Sequence, residues 1–335
     1  MVYTIAEIGN NHNGSIKKFL KITKAAHASG ADAVKIQSFR GTDIVTPNIL
    51  SSEYPEWNSA GYKYWYEFAD SIALPIDDHQ EAIDYAHHLG LNFITTPVCP
   101  QIVEFLEQMK GIDYYKIASM DLNNIDLIES IAQTNKKVIL STGMGSIEEI
   151  KKAADLLHKN ELTILHCVSD YPLNPKNANL NNIKFLINEF PNLTIGFSDH
   201  SLGHELSIAA VALGAKVIEK HFTLDRKDIN PAEHHFSMEP KDFKKLVKWT
   251  NDIDKNFDKY KWGRSENENI QGKLISRRSF HYKTNLSKGH IVSKKDLIFV
   301  RPGSGVDYSD ISKIIGKKLS KDVLEYDSCI LNDVD

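Results

Sequence analysis

From its first residues, the chain alternates a β-prone run with a helical run, and the pair repeats eight times. No other feature constrains the fold as strongly. The β-prone runs begin near residues 3, 32, 92, 114, 137, 162, 193 and 216. Helix punctuation lies between them. Ser15 caps a helix over 16–29 that Gly30 stops, and Ser146 with Glu149 forms a capping box. Gly90 and Gly214 end two more helical runs, over 77–89 and 205–213. Strands joined through a helix lie parallel. Eight such units in about 255 residues is the arithmetic of a (β/α)8 barrel. A doubly wound sheet is weaker, because no Gly-rich dinucleotide loop follows a strand.

Two stretches depart from this rhythm. Residues 39–75 form a long insertion rich in aromatics and proline, either a lid over a site or a surface elaboration. After Trp262 the composition changes. Residues 263–276 are polar and turn-rich, a linker, and 277–335 read as short strands and turns of a small β-rich domain. The expected division is a barrel over 1–262, a linker over 263–276 and a small domain over 277–335.

The charge balance removes several function classes. With a net charge of −4 and 25% charged residues, nothing points to nucleic acid or a membrane surface. Cys99, Cys167 and Cys329 are too few and too scattered for a disulfide framework or a Cys-based zinc site. No apolar run reaches the length of a membrane span, and the chain opens on a strand rather than a leader, so the expected location is the cytoplasm.

In a parallel barrel, ligands bind at the carboxyl ends of the strands. Read there, the sequence gives Glu7 with Asn10, Asn11 and His12, then Lys35 and Gln37, and then Thr95 and Thr96. Lys116, Ser119, Ser141 and Thr142 follow, and after them His166, Ser169, Asp170 and Tyr171. The last two strands give Ser198, Asp199 and His200, and then Glu219, Lys220 and His221. His200 and His221 close consecutive strands, as a pair of metal ligands would, or as strand caps. Lys35 and Lys116 sit within apolar strands and need an anion. That anion is either a ligand in the mouth or an internal partner such as Glu7 or Glu219. Lysines, hydroxyls, histidines and carboxylates together suit a phosphorylated anion and acid–base or metal chemistry. A Schiff-base lysine is equally compatible with this spacing.

Seven ordered segments carry a resemblance: AEIGNNHNGS (6–15), VKIQSF (34–39), YKIAS (115–119), LSTGMGS (140–146), HCVSDYP (166–172), GFSDHSLG (196–203) and IEKHFT (218–223). They resemble the sialic acid synthase family, whose members make N-acetylneuraminate, legionaminate or pseudaminate. RRSF (277–280) and VRPGSG (300–305) resemble that family's C-terminal antifreeze-like (SAF) domain. The resemblance implies a transferase that condenses phosphoenolpyruvate with an N-acetylated amino sugar to a nine-carbon 2-keto acid and phosphate. It also implies a domain-swapped homodimer. His200 and His221 resemble ligands of Mn2+ or Mg2+, and Glu7 an acid–base group. Lys35, Thr96, Lys116, Ser119, Ser141, Ser169 and Ser198 resemble the phosphoenolpyruvate-binding set. Gln37, Asp121, Tyr171, Glu233 and Arg301 resemble sugar contacts, Arg301 being offered to a partner subunit. Two positions depart from the family: Glu233 stands near an expected Asp, and Asp121 where many relatives have Glu. Both lie on the sugar side. His234 and His235 read as loop histidines. The competing readings are a Schiff-base aldolase on the same barrel and a non-catalytic sugar-acid-binding protein.

Overall fold

The computed structural model describes residues 1–53, 61–228, 233–257, 263 and 265–335, apart from the side chains of 257, 273 and 274. Part of the 39–75 insertion and Asn230, Pro231, Ala232 and Trp262 lie outside the described residues. The chain forms two compact units, Met1–Lys259 and Tyr260–Asp335.

The first unit is a closed barrel of eight parallel strands in sequence order. The strands are β1 (Tyr3–Gly9), β2 (Ala33–Ser38), β3 (Asn92–Pro97), β4 (Tyr114–Ile117), β5 (Lys137–Ser141), β6 (Leu162–Cys167), β7 (Thr194–Asp199) and β8 (Val217–His221). Between and after them run α1 (Ile16–Ala28), α2 (Gly41–Ile44), α3 (Trp65–Ile72), α4 (His79–His88), α5 (Pro100–Leu106), α6 (Ile125–Ala132), α7 (Ile147–Leu156), α8 (Asn181–Glu189), α9 (Glu205–Ala212) and α10 (Pro240–Phe257). Local chemistry sets the boundaries. Ser15 Oγ accepts from the Lys18 amide to start α1, whose buried stripe is Phe19, Ile22, Thr23 and Ala26. The expected Ser146–Glu149 capping box opens α7. The run expected as one helix over 77–89 is instead a 3-10 turn, Ile76–Asp78, followed by α4.

Strand parity then decides where each residue goes. Side chains facing the helices join the main core, for example Ala6, Ile8, Val34, Phe93, Ile164 and Phe197. Ile5, Ala33, Ile94, Ile139, Leu165 and Val217 form a separate apolar layer, flanked by Tyr3 and Tyr114. Two residues further along six of these strands come Glu7, Lys35, Thr96, Ser141, Cys167 and Glu219. An apolar plug therefore lies directly beneath a polar layer at the carboxyl ends.

The second unit carries α11 (Glu266–Gln271), β9 (Ser279–Tyr282) and β10 (Leu297–Val300). Ser265 caps α11 inside the stretch read as linker. β9 and β10 pair antiparallel over a core of Phe280, Tyr282, Val292, Leu297, Ile314 and Cys329. The rest of the stretch read as short strands is held by isolated bridges, Leu286 to Val323, Ile291 to Lys318 and Leu319 to Val334. Among the described residues no helix is long and apolar enough to cross a membrane.

Candidate active site

A cavity of about 260 Å³ opens at the carboxyl ends of the strands. One wall is cationic and hydroxylic. Lys116 is 3% exposed, and its Nζ donates to Ser141 Oγ at 2.6 Å and to the Ile117 carbonyl at 3.2 Å. Burial pulls its pKa below the usual lysine value. The described residues include no carboxylate in salt-bridge contact with it. Ser119 and Ser169 stand alongside, and a Cβ on Gly143 would collide with both hydroxyls. The Gly143 amide donates to Ser119 Oγ at 2.9 Å. A hydroxyl-lined hollow beside an ammonium without a carboxylate partner is an anion cradle.

The opposite side is a buried ionic cluster. Lys35 Nζ lies 2.8 Å from Glu7 Oε2 and 3.7 Å from Glu219 Oε2, and 3.5 Å from Thr96 Oγ1. Lys35 thus lines the mouth and is also ion-paired internally. Burial opposes its charge, but Glu219 and Glu7 outweigh this and raise its pKa. The two carboxylates then diverge. Burial pushes Glu7 up, and Lys35 only partly opposes it. Glu219 also suffers burial, yet Lys35, Lys116 and a 2.9 Å hydrogen bond from Ser198 Oγ bring it down to about 2. Two neighbouring carboxylates whose pKa values are pushed in opposite directions suit an acid–base role for one and a fixed counter-charge for the other.

Glu233 enters this cluster from the loop after β8. Its Oε2 lies 3.1 Å from His221 Nδ1, and the Asn10 amide donates to its carboxylate. Burial raises and the His221 partnership lowers its pKa, with a net fall, while the same contact outweighs burial to raise His221. Gly9 permits the approach: it has a φ of +52°, and any Cβ there would overlap Glu233 Oε2. His200 completes the corner. Its ring centroid is 5.5 Å from that of His221 and 4.1 Å from that of Tyr171, which stacks on it. Burial, with His221 adding to it, holds His200 neutral at a pKa of about 3.

This donor set fits a divalent cation. One ligand atom each from Glu7, His221 and Glu233 lie within 4.8 Å of one another, and Glu7 Oε1 has no hydrogen-bond partner among the described residues. His200 Nδ1 donates to the Val168 carbonyl at 2.8 Å, which leaves the Nε2 lone pair on the other side of the ring, 3.4 Å from Ser198 Oγ. Imidazoles with carboxylates suit Mn2+ or Mg2+-class ions better than thiophilic ones.

The remaining strand-end residues separate by parity. Gln37, Thr96, Ser198 and Tyr171 line the cavity, and so does Cys167, which the reading of the strand ends passed over. His166, read as facing the mouth, points the other way: its Nε2 donates to the Ala178 carbonyl at 2.7 Å and its ring stacks on Phe197. Asp199 and Lys220 also turn outward. They are register partners on β7 and β8 and pair at 2.9 Å, while Asp199 accepts from Ser201 and Ser207. Parity could have flagged these, since each is one residue out of step with Ser198 and Glu219. Thr95 bonds Ser38, Thr142 the Leu165 carbonyl, and His12 packs on Phe19. His234 is buried against Thr223 Oγ1 at 2.6 Å. Arg301 is an exposed residue of the second unit, beside Pro302, whose carbonyl accepts from Ser279 and His281.

Asp121 does not line the cavity among the described residues. The residue is 9% exposed, its Oδ1 accepts from Asn124, and burial raises its pKa to about 6. A folded-state pKa above the unfolded value means that ionisation at neutral pH opposes folding, and that the cost disappears below the unfolded value. Asp121→Asn is therefore expected to gain on the order of 1–2 kcal/mol at pH 8, with the gain closing as pH falls from about 6.5 to 4. Melting curves across that range read it, and equal melting temperatures at pH 8 would remove the burial cost assigned to this carboxyl.

Residues 22–261 match the NeuB family and residues 277–325 match the SAF domain. The chain is 35% identical over 325 residues to the N,N'-diacetyllegionaminic acid synthase of Legionella pneumophila, covering 95% of this chain and 90% of that protein. It is 34% identical to the pseudaminic acid synthase of Campylobacter jejuni over 96% of this chain and 93% of that one. The crystal structure of N-acetylneuraminic acid synthetase from Leptospira borgpetersenii superposes with a TM-score of 0.71 at 32% identity, over 81% of this chain and 90% of that one.

Proposed function

The chain belongs to the NeuB family, with a SAF domain following the barrel in sequence, and from that premise we propose that it is a nonulosonate synthase. In this reading it joins phosphoenolpyruvate to an N-acetylated amino sugar, giving a nine-carbon 2-keto sugar acid and phosphate. One observation carries the reading: the hydroxyl-lined hollow around Lys116 and the ionic cluster of Glu7, His221 and Glu233 line one and the same cavity.

Lys116, with Ser119, Ser141, Ser169 and Ser198, binds the phosphate and carboxylate of phosphoenolpyruvate, with Lys35 and Thr96 at the edge of the set. Gln37, Tyr171 and Glu233 hold the sugar, and Asp121 supports the turn beside the cradle. His200 and His221, with Glu7 and Glu233 in reach, would hold a divalent metal, which would supply Lewis-acid polarisation of the sugar's aldehyde oxygen. The C3 of phosphoenolpyruvate forms the new carbon–carbon bond to the aldehyde carbon, and the aldehyde oxygen takes a proton. Glu7, whose pKa burial raises, is the group this reading assigns to that proton transfer. Water adds at C2, and phosphate leaves with cleavage of its bond to C2. Fixed charges already in place at the cradle stabilise the leaving phosphate. The assembly in this reading is a homodimer, with Arg301 of the second unit reaching the sugar of a partner subunit.

The test is phosphate release from phosphoenolpyruvate with Mn2+, across N-acetylmannosamine and 2,4-diacetamido-6-deoxy hexoses. Sugar-dependent release that EDTA abolishes and Mn2+ restores is the expected result. A pyruvate adduct trapped on a lysine by borohydride, without sugar-dependent phosphate, would favour the aldolase. Sugar-acid binding with no release at all would favour the binding protein.

A further inference from the structure

Glu7 and His221 are fixed by the barrel itself. They are register partners on β1 and β8, and the Phe222 amide donates to the Glu7 carbonyl at 2.7 Å. Glu233 belongs to no strand: it precedes a 3-10 turn, His234–Phe236. Its Oε2 nevertheless fills a slot over Gly9 too tight for a Cβ. A side chain more than two hundred residues away in sequence supplies the hold. Asn11, in the loop after β1, is fully buried. Its amide nitrogen donates to the Phe222 carbonyl at 3.0 Å and to Ser237 Oγ at 2.9 Å. Ser237 Oγ in turn donates to the backbone carbonyl of Glu233 at 2.6 Å. One amide group thus joins the three segments that carry Glu7, His221 and Glu233.

The chemistry of the amide makes its orientation definite. The Phe222 carbonyl can only accept, so the NH2 group must face it, and a flipped amide would set two carbonyl oxygens against each other. That orientation has a cost. Asn11 Oδ1 is buried and has no hydrogen-bond partner among the described residues. An orphaned buried acceptor is unfavourable, and a leucine of similar size would avoid it, so the amide has a task beyond packing. We infer that Asn11 is a positioning residue: through Ser237 it sets Glu233 against His221 and so completes the corner that fits a divalent cation. The inference rests on that cation reading, and it gives Asn11 no contact with metal or substrate.

Mn2+ titration of the full chain tests this, read by calorimetry or by the electron paramagnetic resonance of free Mn2+. Asn11→Ala is expected to weaken Mn2+ binding about 10- to 100-fold, as removal of a ligand's supporting partner does. Ser237→Ala removes only the relay hydroxyl and is expected to weaken it about three-fold. Phosphoenolpyruvate binding measured without metal stays unchanged in both, because Lys116, Ser119, Ser141 and Ser169 come from other strand ends. The deciding comparison is made in a Glu233→Gln background. There Asn11→Ala is expected to cause no further loss of Mn2+ affinity, since the carboxylate it acts through is gone. A full further loss in that background would make Asn11 a general prop of the fold and overturn the inference. Wild-type Mn2+ affinity in a folded Asn11→Ala or in Ser237→Ala would overturn it as well. If Asn11→Ala does not fold, Ser237→Ala with and without Glu233→Gln makes the same comparison. A wild-type chain that binds no Mn2+ removes the cation reading and this inference with it, whereas binding that both variants share overturns the role of Asn11 alone.

Discussion

Lys116→Met is expected to lower kcat/KM for phosphoenolpyruvate by about 10³-fold without lowering the melting temperature. The two halves of that expectation have one cause. The Lys116 ammonium is buried against a hydroxyl and a carbonyl, with no carboxylate in salt-bridge contact among the described residues. In the free protein it is a desolvated charge waiting for a partner, and replacement by an apolar side chain of similar length relieves that cost. In the complex it is the main cation of the cradle. The pH dependence follows with a definite sign. Its folded-state pKa is depressed, so the unfolded chain binds the extra proton, and wild-type stability rises with pH from that depressed value toward about 10.4. Lys116→Met flattens this rise. Steady-state kinetics with thermal melts from pH 7 to 10 measure both. A melting temperature that falls in step with activity would mean that the lysine is holding the fold rather than the substrate.

The second large effect lies behind the cavity. Lys220→Met leaves Asp199 buried with no cation, and breaking such a pair costs about 3–5 kcal/mol. Lys220 is 2% exposed, donates to the Ser201 carbonyl at 2.6 Å and pairs with Asp199 at 2.9 Å. This pair links β7 to β8 between the residues that reach the cavity, Ser198 and, just past the strand end, His200 on one side and Glu219 and His221 on the other. The variant is therefore expected to melt roughly 10 °C lower. It should also bind Mn2+ more weakly, because the two imidazoles are no longer held at fixed separation. The double variant Lys220→Met with Asp199→Leu is expected to recover most of the stability but not the metal affinity. Urea unfolding and Mn2+ titration of the three proteins separate the two effects. If the double variant is no more stable than Lys220→Met, the unpaired Asp199 charge is not the origin of the loss.

The barrel was legible because its signals are local. Ser15, Ser146, Gly30 and Gly214 mark helix ends by their own backbone chemistry. The polar strand ends were legible as a zone but not residue by residue. His166 and Cys167 are neighbours, and only the phase of β6 tells which one meets the cavity. Asp199 and Lys220 were read into the mouth for the same reason. Glu233 was named for its position after β8, but its contact with His221 depends on Gly9, more than two hundred residues earlier in the chain. The insertion announced itself by its aromatics. Which of them face inward depended on α3, whose helical stripe spans Trp65 to Ile72.

The alternation along β7 and β8 also has a consequence for how such a chain can change over generations. Ser198, His200, Glu219 and His221 share one phase, and Asp199 and Lys220 the other. A single-residue insertion or deletion within either strand exchanges the phases, turning a carboxylate or an ammonium into the cavity and an imidazole toward α9. Substitutions can accumulate there one at a time, but changes of length cannot. The stretch over 39–75 has no such parity to keep. It is the tract where gain or loss of residues can remodel the apolar lining of the cavity while the strand-end residues stay in frame.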